Sequence, residues 1–288
     1  MSTTYPFLKG HGTENDFVLL PDPDGSVHPD LGTGTVAALC DRRAGIGADG
    51  VIRVVRCAAY ADPAAVAARG TAEWFMDYRN ADGSLSEMCG NGVRVLARYL
   101  ADHQGVDTTV PLAIGTRGGV KQITFGDDGE ITVDMGLPRL LPETKVAVGD
   151  RSWPAAGVDM GNPHAVAFVE ALTDAGPLAE EPAYDRQAYP DGVNIEFVVR
   201  RGPRHVAMRV HERGSGETRS CGTGACAVMV AAAAAAAADG AGPGTSYQVD
   251  VPGGRLGVTW RPDGHVLLTG PAVLVAHGEV AKALAVRG

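Results

Sequence analysis

Two short stretches decide how this sequence is read: Met88-Cys89-Gly90-Asn91-Gly92-Val93 and Ser220-Cys221-Gly222-Thr223-Gly224-Ala225. Each is a Cys-Gly-x-Gly turn that opens a segment of helical character. Residues 92–103 carry Arg94 and Arg98 on one face and offer Leu96, Tyr99 and Leu100 for packing. Residues 222–238 are mostly alanine and run into Asp239-Gly240, a natural helix stop. The two cysteines lie close to half the chain apart. Each half therefore offers strands, then Cys-Gly-x-Gly, then one helix, which is the pattern of an internal repeat.

Around these turns, 39 glycines and 18 prolines punctuate the chain every few residues. Short segments of strand character lie between them, at 17–20, 51–55, 73–78, 121–125 and 131–135 in the first half. The second half continues with 165–169, 194–199, 205–212, 246–251, 255–260 and 266–269. Apart from the two helices above, only 35–41 reads as helical. Two homologous lobes, each a curved sheet wrapped on one helix, account for this order.

The chain has 288 residues, room for about two ordinary domains. With 45% hydrophobic and 20% charged residues, its composition is globular rather than disordered or fibrous. Asp and Glu number 34 against 25 Lys and Arg, a formal charge of −9. That excess lacks the basic footprint of a nucleic-acid binder, yet it leaves room for a small zwitterionic substrate. The longest uncharged apolar run, 225–238, is shorter than the roughly 20 residues a spanning helix needs, so no membrane partner is expected. The five cysteines are odd in number, scattered and without Cys-x-x-Cys, so neither a disulfide framework nor a metal site is expected. No signal peptide is evident, and a reducing cytoplasm is the default setting.

A cysteine at a helix N-terminus sits at the positive end of the helix dipole, which is expected to lower its thiol pKa. The glycines after it let free backbone N–H groups approach an anion such as a carboxylate. One such turn is weak, because a buried cysteine is usually inert packing; Cys40, Cys57 and Cys226 are assigned to packing on that ground. Two matching turns suggest a site with a sulfur from each lobe. Opposed thiols suit inversion at a carbon, where one base removes a proton from one face and its conjugate acid returns one to the other. The resting pair then holds one thiolate and one thiol, and their titrations are coupled.

Further polar clusters are His-Gly-Thr-Glu-Asn-Asp-Phe from His11, Tyr-Arg-Asn-Ala-Asp-Gly from Tyr78 and Gly-Asn-Pro-His from Gly161. Asp-Gly-Val-Asn from Asp191 and Glu-Arg-Gly-Ser-Gly-Glu-Thr from Glu212 complete the set. Singly, each reads as an ordinary turn or loop. Together they resemble the diaminopimelate epimerase family, cofactor-independent enzymes that interconvert LL- and meso-2,6-diaminopimelate. The resemblance runs from Lys9 to Pro271 and is most specific at 80–92, 161–164 and 212–224.

The resemblance implies an α/β (α+β) fold of two pseudo-symmetric lobes, each a curved, mostly antiparallel sheet round a central helix. The lobes would be 1–135 with Cys89 and 136–271 with Cys221, with 272–288 returning to the first. It makes Cys221 the proton acceptor and Cys89 the donor in the LL-to-meso direction. His164 and Glu212 would tune the thiols. Substrate contacts would fall on Asn15, Asn80, Gly90, Asn91, Asn162, Asn194, Glu212, Arg213, Gly222 and Thr223. The turn amides would hold the reacting α-carboxylate, and Arg213 would offer the distal carboxylate a bidentate fork. No cofactor is implied, and none of Lys9, Lys121, Lys145 and Lys282 lies in a cysteine cluster to carry pyridoxal. A homodimer is expected.

Two positions depart from the family pattern. Glu14 stands where many members have the second glycine of His-Gly-x-Gly-Asn-Asp-Phe. Gly50 follows Asp49 where many members have a substrate-contacting glutamine. Besides a non-catalytic amino-acid binding protein, for which reactive cysteines would be a liability, two other readings stay open on the residues alone. One is a racemase of another amino acid such as proline or hydroxyproline. The other is a cysteine hydrolase with His164 as base, which leaves the second cysteine turn unexplained.

Overall fold

The computed structural model describes residues 4–28, 31–237 and 240–282. The chain divides into two compact units, Met1–Val133 with Pro271–Gly288, and Asp134–Gly270. The first half runs β1 (Thr4–Gly12), β2 (Asn15–Pro21), α1 (Thr33–Cys40), β3 (Gly50–Arg56), α2 (Pro63–Ala68), β4 (Trp74–Asn80) and α3 (Gly90–Gln104). β5 (Leu112–Thr116), β6 (Gly119–Phe125) and β7 (Ile131–Gly136) follow. Then come β8 (Arg139–Val148), β9 (Arg151–Asp159), β10 (Pro163–Phe168), β11 (Ala183–Tyr184), β12 (Asn194–Gly202) and β13 (His205–Glu212). The chain continues through β14 (Gly216–Thr218), α4 (Gly222–Ala235), β15 (Thr245–Val251), β16 (Gly254–Trp260) and β17 (Val266–Gly270). It closes with β18 (Val273–Ala281).

The repeat is written in the strand pairing. In the first unit the lateral order is β18-β1-β2-β3-β4-β5-β6-β7; the β2–β3 and β4–β5 pairs are parallel and the rest antiparallel. In the second it is β8-β9-β10-β12-β13-β15-β16-β17, with β10–β12 and β13–β15 parallel and the rest antiparallel. The sequence of antiparallel and parallel steps is the same in both. Parallel neighbours need a long crossover, and α3 and α4 are the crossovers of the β4–β5 and β13–β15 pairs. β18, the last strand of the chain, takes the place in the first unit that β8 takes in the second.

Each sheet curls round its crossover helix. α3 packs against β1, β2, β3, β4 and β18, and α4 against β9, β10, β12, β13, β15, β16 and β17. Seven flat strands at ~4.8 Å spacing span about 29 Å, well over the ~10–12 Å width of a helix. Only a curved sheet brings all seven onto one helix. The alanines make room: Ala225, Ala227, Ala231, Ala232 and Ala233 are buried. α4 ends as a regular helix at Ala235, three residues before the expected stop; Ala238 and Asp239 of that stop lie outside the described residues, as do 283–288 of the expected returning segment.

Arg94 departs from the amphipathic reading of α3. It is fully buried among the apolar residues, whereas Arg98 reaches out to the Gly129 carbonyl. The strands without a sequence signal are β1, β5, β8, β9, β11, β14 and β18. Among the described residues β18 pairs with β1 alone, and it is largely exposed, so it needs no apolar alternation. β8 and β9 carry Pro142 and Pro154, which read as strand breakers. α2, a short alanine-rich helix absent from the expected elements, does carry a signal in the sequence: Asp62 caps it and Pro63 is its first residue.

The Glu14 departure has a conformational meaning. β1 and β2 join through a two-residue hairpin loop in which Thr13 (φ 49°) and Glu14 (φ 62°) both adopt left-handed backbone. Such loops favour glycine because a Cβ is strained there. Glu14→Gly is therefore expected to stabilise the fold by roughly 0.5–1 kcal/mol, after allowing for glycine's greater unfolded-state freedom. The urea midpoint should rise with an unchanged slope; an unchanged or lower midpoint would show that the turn carries no strain.

Candidate active site

Both cysteines cap the crossover helix of their own unit, and they do so in the same way. Cys89 precedes α3 in extended backbone (φ −137°, ψ 118°), and its sulfur accepts the Gly92 N–H at 3.4 Å. Cys221 precedes α4 (φ −118°, ψ 116°), and its sulfur accepts the Gly224 N–H at 3.3 Å. In each case the sulfur takes the place of the serine or aspartate oxygen that usually caps the third helical amide. Gly224 lets the Cys221 sulfur sit there, and Gly92 packs closely on the sheet. A Cβ on Gly224 would lie 2.7 Å from Glu196 Oε1 and 3.2 Å from the Cys221 sulfur, and one on Gly92 would lie 3.1 Å from Ile52.

In the first unit, Asn15, Cys89 and Asn91 form one hydrogen-bonded group. The Cys89 thiol donates to Asn15 Oδ1 at 3.5 Å, and Asn91 Nδ2 donates to the same oxygen at 3.1 Å. Gly90 is the first residue of α3 and is buried. Asn80 closes β4 and donates to Ser84 Oγ at 3.0 Å, apart from that group. It pairs with Gly50 across β3 and β4. A Cβ on Gly50 would lie 2.6 Å from both the Tyr78 ring and the Arg79 carbonyl, so the glutamine common in the family pattern has no room on this backbone.

In the second unit, His164 at the start of β10 lies fully buried between two oxygens. Its Nδ1 is 2.6 Å from Glu196 Oε1 and its Nε2 is 3.1 Å from Asn162 Oδ1. Asn162 in turn donates to Thr223 Oγ1 at 3.4 Å, and that hydroxyl lies 3.5 Å from the Cys221 sulfur. The Glu212 carboxyl, which accepts the Thr218 hydroxyl, is near enough for its charge to act on the Cys221 sulfur. Asn194 donates to the Pro163 carbonyl and accepts the Arg213 N–H at 3.0 Å. The Arg213 side chain is exposed and donates to the Asp191 carbonyl at 2.9 Å. Gly222 is buried as the first residue of α4. Among the described residues, no three His, Cys, Asp or Glu side chains are grouped to hold a metal ion.

The expectation that a helix N-terminus lowers the thiol pKa does not hold for Cys221. Burial, then the Glu212 and Glu196 carboxylates, push it well above the usual thiol value. A helix end contributes only about 0.3–1 kcal/mol at an exposed site, less than the desolvation of a fully enclosed thiolate beside two acids. Burial also raises Glu212, against the lowering effect of the Thr218 and Cys221 hydrogen bonds. Cys89 is only partly buried, so the two caps share geometry but not solvation.

Sequence reasoning missed Glu196, Asp49, Arg94 and Thr218. Glu196 had a signal: a single acid inside the apolar run Asn194-Ile-Glu-Phe-Val-Val, now fully buried with Oε2 unpartnered. Cys40, Cys57 and Cys226 are buried, in keeping with packing, and burial pushes the Cys40 thiol up to about 12.

A family model described as diaminopimelate epimerase matches residues 7–141 and 157–275. The chain belongs to the diaminopimelate epimerase family. It is 61% identical over 284 residues to the diaminopimelate epimerase of Streptomyces coelicolor, covering 97% of this chain and 96% of that protein. The Thermobifida fusca enzyme of the same name is 48% identical, with 95% and 97% covered. Among solved structures, a hydroxyproline epimerase from Agrobacterium vitis superposes with a TM-score of 0.67 at 14% identity, covering 97% of this chain and 93% of that one. A PhzF-family phenazine biosynthesis protein from Bacillus anthracis gives 0.67 at 16% identity, covering 97% and 99%. At such identities these two structures share the fold.

The charges round Cys221 give a signed expectation. Its alkylation in the free protein should stay slow until the pH passes the usual thiol range. Glu212→Gln removes a negative charge that disfavours the thiolate, so the alkylation profile should move to lower pH. The rate at pH 8 should then rise several-fold, since moving the profile down by one pH unit makes the reaction about tenfold faster there. An unmoved profile would show that Glu212 does not act on the sulfur.

Proposed function

We propose that this protein interconverts LL- and meso-2,6-diaminopimelate by proton exchange at one α-carbon, without a cofactor. The observation that carries this reading is the pair of cysteine caps, one on each crossover helix, in a chain of this family. In the LL-to-meso direction, the Cys221 thiolate takes the α-proton from one face. The electron pair left on carbon is delocalised into the α-carboxylate, whose oxygens are stabilised by helix N-terminal amides. The Cys89 thiol then delivers a proton to the opposite face. Cys221 ends as thiol and Cys89 as thiolate, and the meso-to-LL direction uses the same two groups in swapped roles.

Asn15, Asn80, Gly90, Asn91, Asn162, Asn194, Glu212, Arg213, Gly222 and Thr223 are proposed to hold the substrate. Arg213 takes the distal carboxylate, for which its exposed guanidinium must leave the Asp191 carbonyl. His164 and Glu212 act on Cys221 through the contacts above. The substrate's α-ammonium would offset the Glu212 and Glu196 charges, which favours the thiolate when substrate is bound. The protein is further proposed to act as a homodimer in the cytoplasm. Five unpaired cysteines suit a reducing compartment, and no described helix is long and apolar enough to cross a membrane.

Incubation of the purified protein with LL-diaminopimelate, proline and hydroxyproline, with no cofactor added, separates the readings by chiral analysis. Turnover of diaminopimelate alone is expected. Cys89→Ala and Cys221→Ala should each lower it by at least about 10³-fold with the fold retained, since general acid–base groups typically contribute 10²–10⁴-fold each. Inversion of proline instead, or near-normal turnover by either variant, would overturn the proposal.

A further inference from the structure

Asp49 belongs to none of the positions assigned above, yet it ends a line of hydrogen bonds that passes Cys89. The line starts at the buried Arg94, whose Nη2 donates to Asn91 Oδ1 at 2.9 Å. Asn91 Nδ2 donates to Asn15 Oδ1 at 3.1 Å, and Asn15 Nδ2 donates to Asp49 Oδ2 at 2.8 Å. A guanidinium only donates and a carboxylate only accepts. With one at each end, neither amide between them can turn over without setting donor against donor or oxygen against oxygen. The direction of both amides is therefore fixed, and Asn15 Oδ1 is the atom turned to the Cys89 sulfur, 3.5 Å away.

We propose that Asp49 is a positioning residue that, with Arg94, orients Asn15 so that its oxygen faces Cys89 and holds that cysteine as the proton-bearing thiol. An amide oxygen accepts from S–H and favours the protonated form; the amide nitrogen in its place would donate to the thiolate and favour the opposite form. The charged groups round the line are Lys9 on β1, Asp16 on β2, Arg42 after α1, Asp49 before β3 and Arg94 on α3. Arg42 bridges Asp16 and Asp49 at 2.7 and 2.6 Å, and Lys9 pairs with Asp16 at 2.5 Å. Asp49 Oδ2 also accepts the Asp16 N–H at 3.2 Å, which holds the carboxylate in place. Despite burial, the Arg42 and Lys9 hydrogen bonds lower Asp16 to about 2, whereas burial raises Asp49 from the ordinary aspartate value against the lowering effect of its Asn15 hydrogen bond.

This inference rests on the proposed assignment of Cys89 as the proton donor, but its test does not need turnover. The pH midpoint for alkylation of Cys89 is followed by peptide mass spectrometry in the full-length protein without substrate. Asp49→Leu frees the Asn15 amide to turn, and the midpoint is expected to fall by about 0.5–1 in pH, a three- to tenfold faster reaction at lower pH. Asp49→Asn removes the charge but keeps an oxygen that the Asp16 N–H holds toward Asn15, and its midpoint should move by less than half as much. Asp49→Ser serves if leucine prevents folding; its hydroxyl both donates and accepts, so it fixes no direction and should behave as leucine does. A merely loosened structure would hydrate the sulfur and lower the midpoint whatever side chain stands at 49, the asparagine variant included. An unmoved midpoint in the leucine or serine variant, or an equal fall in asparagine and the non-amide variant, would overturn the proposal. Neither result would bear on whether the protein epimerises diaminopimelate.

Discussion

Everything at the candidate site depends on a sulfur atom capping a helix. At both Cys89 and Cys221 the sulfur accepts the third amide of the helix it precedes. That bond fixes the side chain, requires extended backbone at the cysteine and leaves the amides beside it pointing the same way. It also explains the glycine at 224, where the capping sulfur and Glu196 leave no room for a Cβ; at 92 a Cβ would press on Ile52 instead. The curled sheet and the crossover helix serve this one constraint: they bring a helix N-terminus to the ends of strands that carry Asn15, His164, Asn194 and Glu212.

The two caps share a backbone and differ in what surrounds the sulfur. Cys89 is partly exposed and faces an amide oxygen. Cys221 is buried and feels two acids, Glu212 and Glu196, the second itself buried against His164. A thiol pair that carries one proton needs such a difference only to be small, since each sulfur must serve as acid in one direction and base in the other. On the proposed mechanism, the α-ammonium of bound substrate would offset the carboxylates that make Cys221 a poor thiolate in the free protein. That offset would bring the two sulfurs closer to balance.

Much of this was legible in the sequence, and the reasons are local. The interior strands such as β3, β4, β12 and β13 bury apolar side chains and show it in their composition. The Cys-Gly-x-Gly turns are written in consecutive residues, so the repeat and both cysteines could be read directly. β18 and β8 could not, because exposed edges carry no apolar period. Arg94 and Asp49 lie 45 residues apart in sequence, and nothing local says that two asparagines join them. Glu196 was hidden by its neighbours, which read simply as a strand. The direction in which the Cys221 pKa moves was misread for a related reason: a helix dipole is visible in sequence, whereas the depth of burial and the acids from β12 and β13 are properties of the fold.

The central claim is that one sulfur removes the α-proton and a different sulfur supplies its replacement. The most direct measurement is the isotope content of product formed in deuterated water. LL-diaminopimelate is converted under initial-rate conditions, and the meso product and remaining LL substrate are analysed separately by mass spectrometry. A thiol exchanges with solvent between turnovers, so Cys89 carries deuterium before the first reaction. The account predicts that the first meso product already holds one deuterium at the inverted carbon, while the LL pool gains label more slowly. Early product that retains mostly protium would mean that a single base serves both faces, and it would contradict the two-sulfur account even if epimerisation were observed.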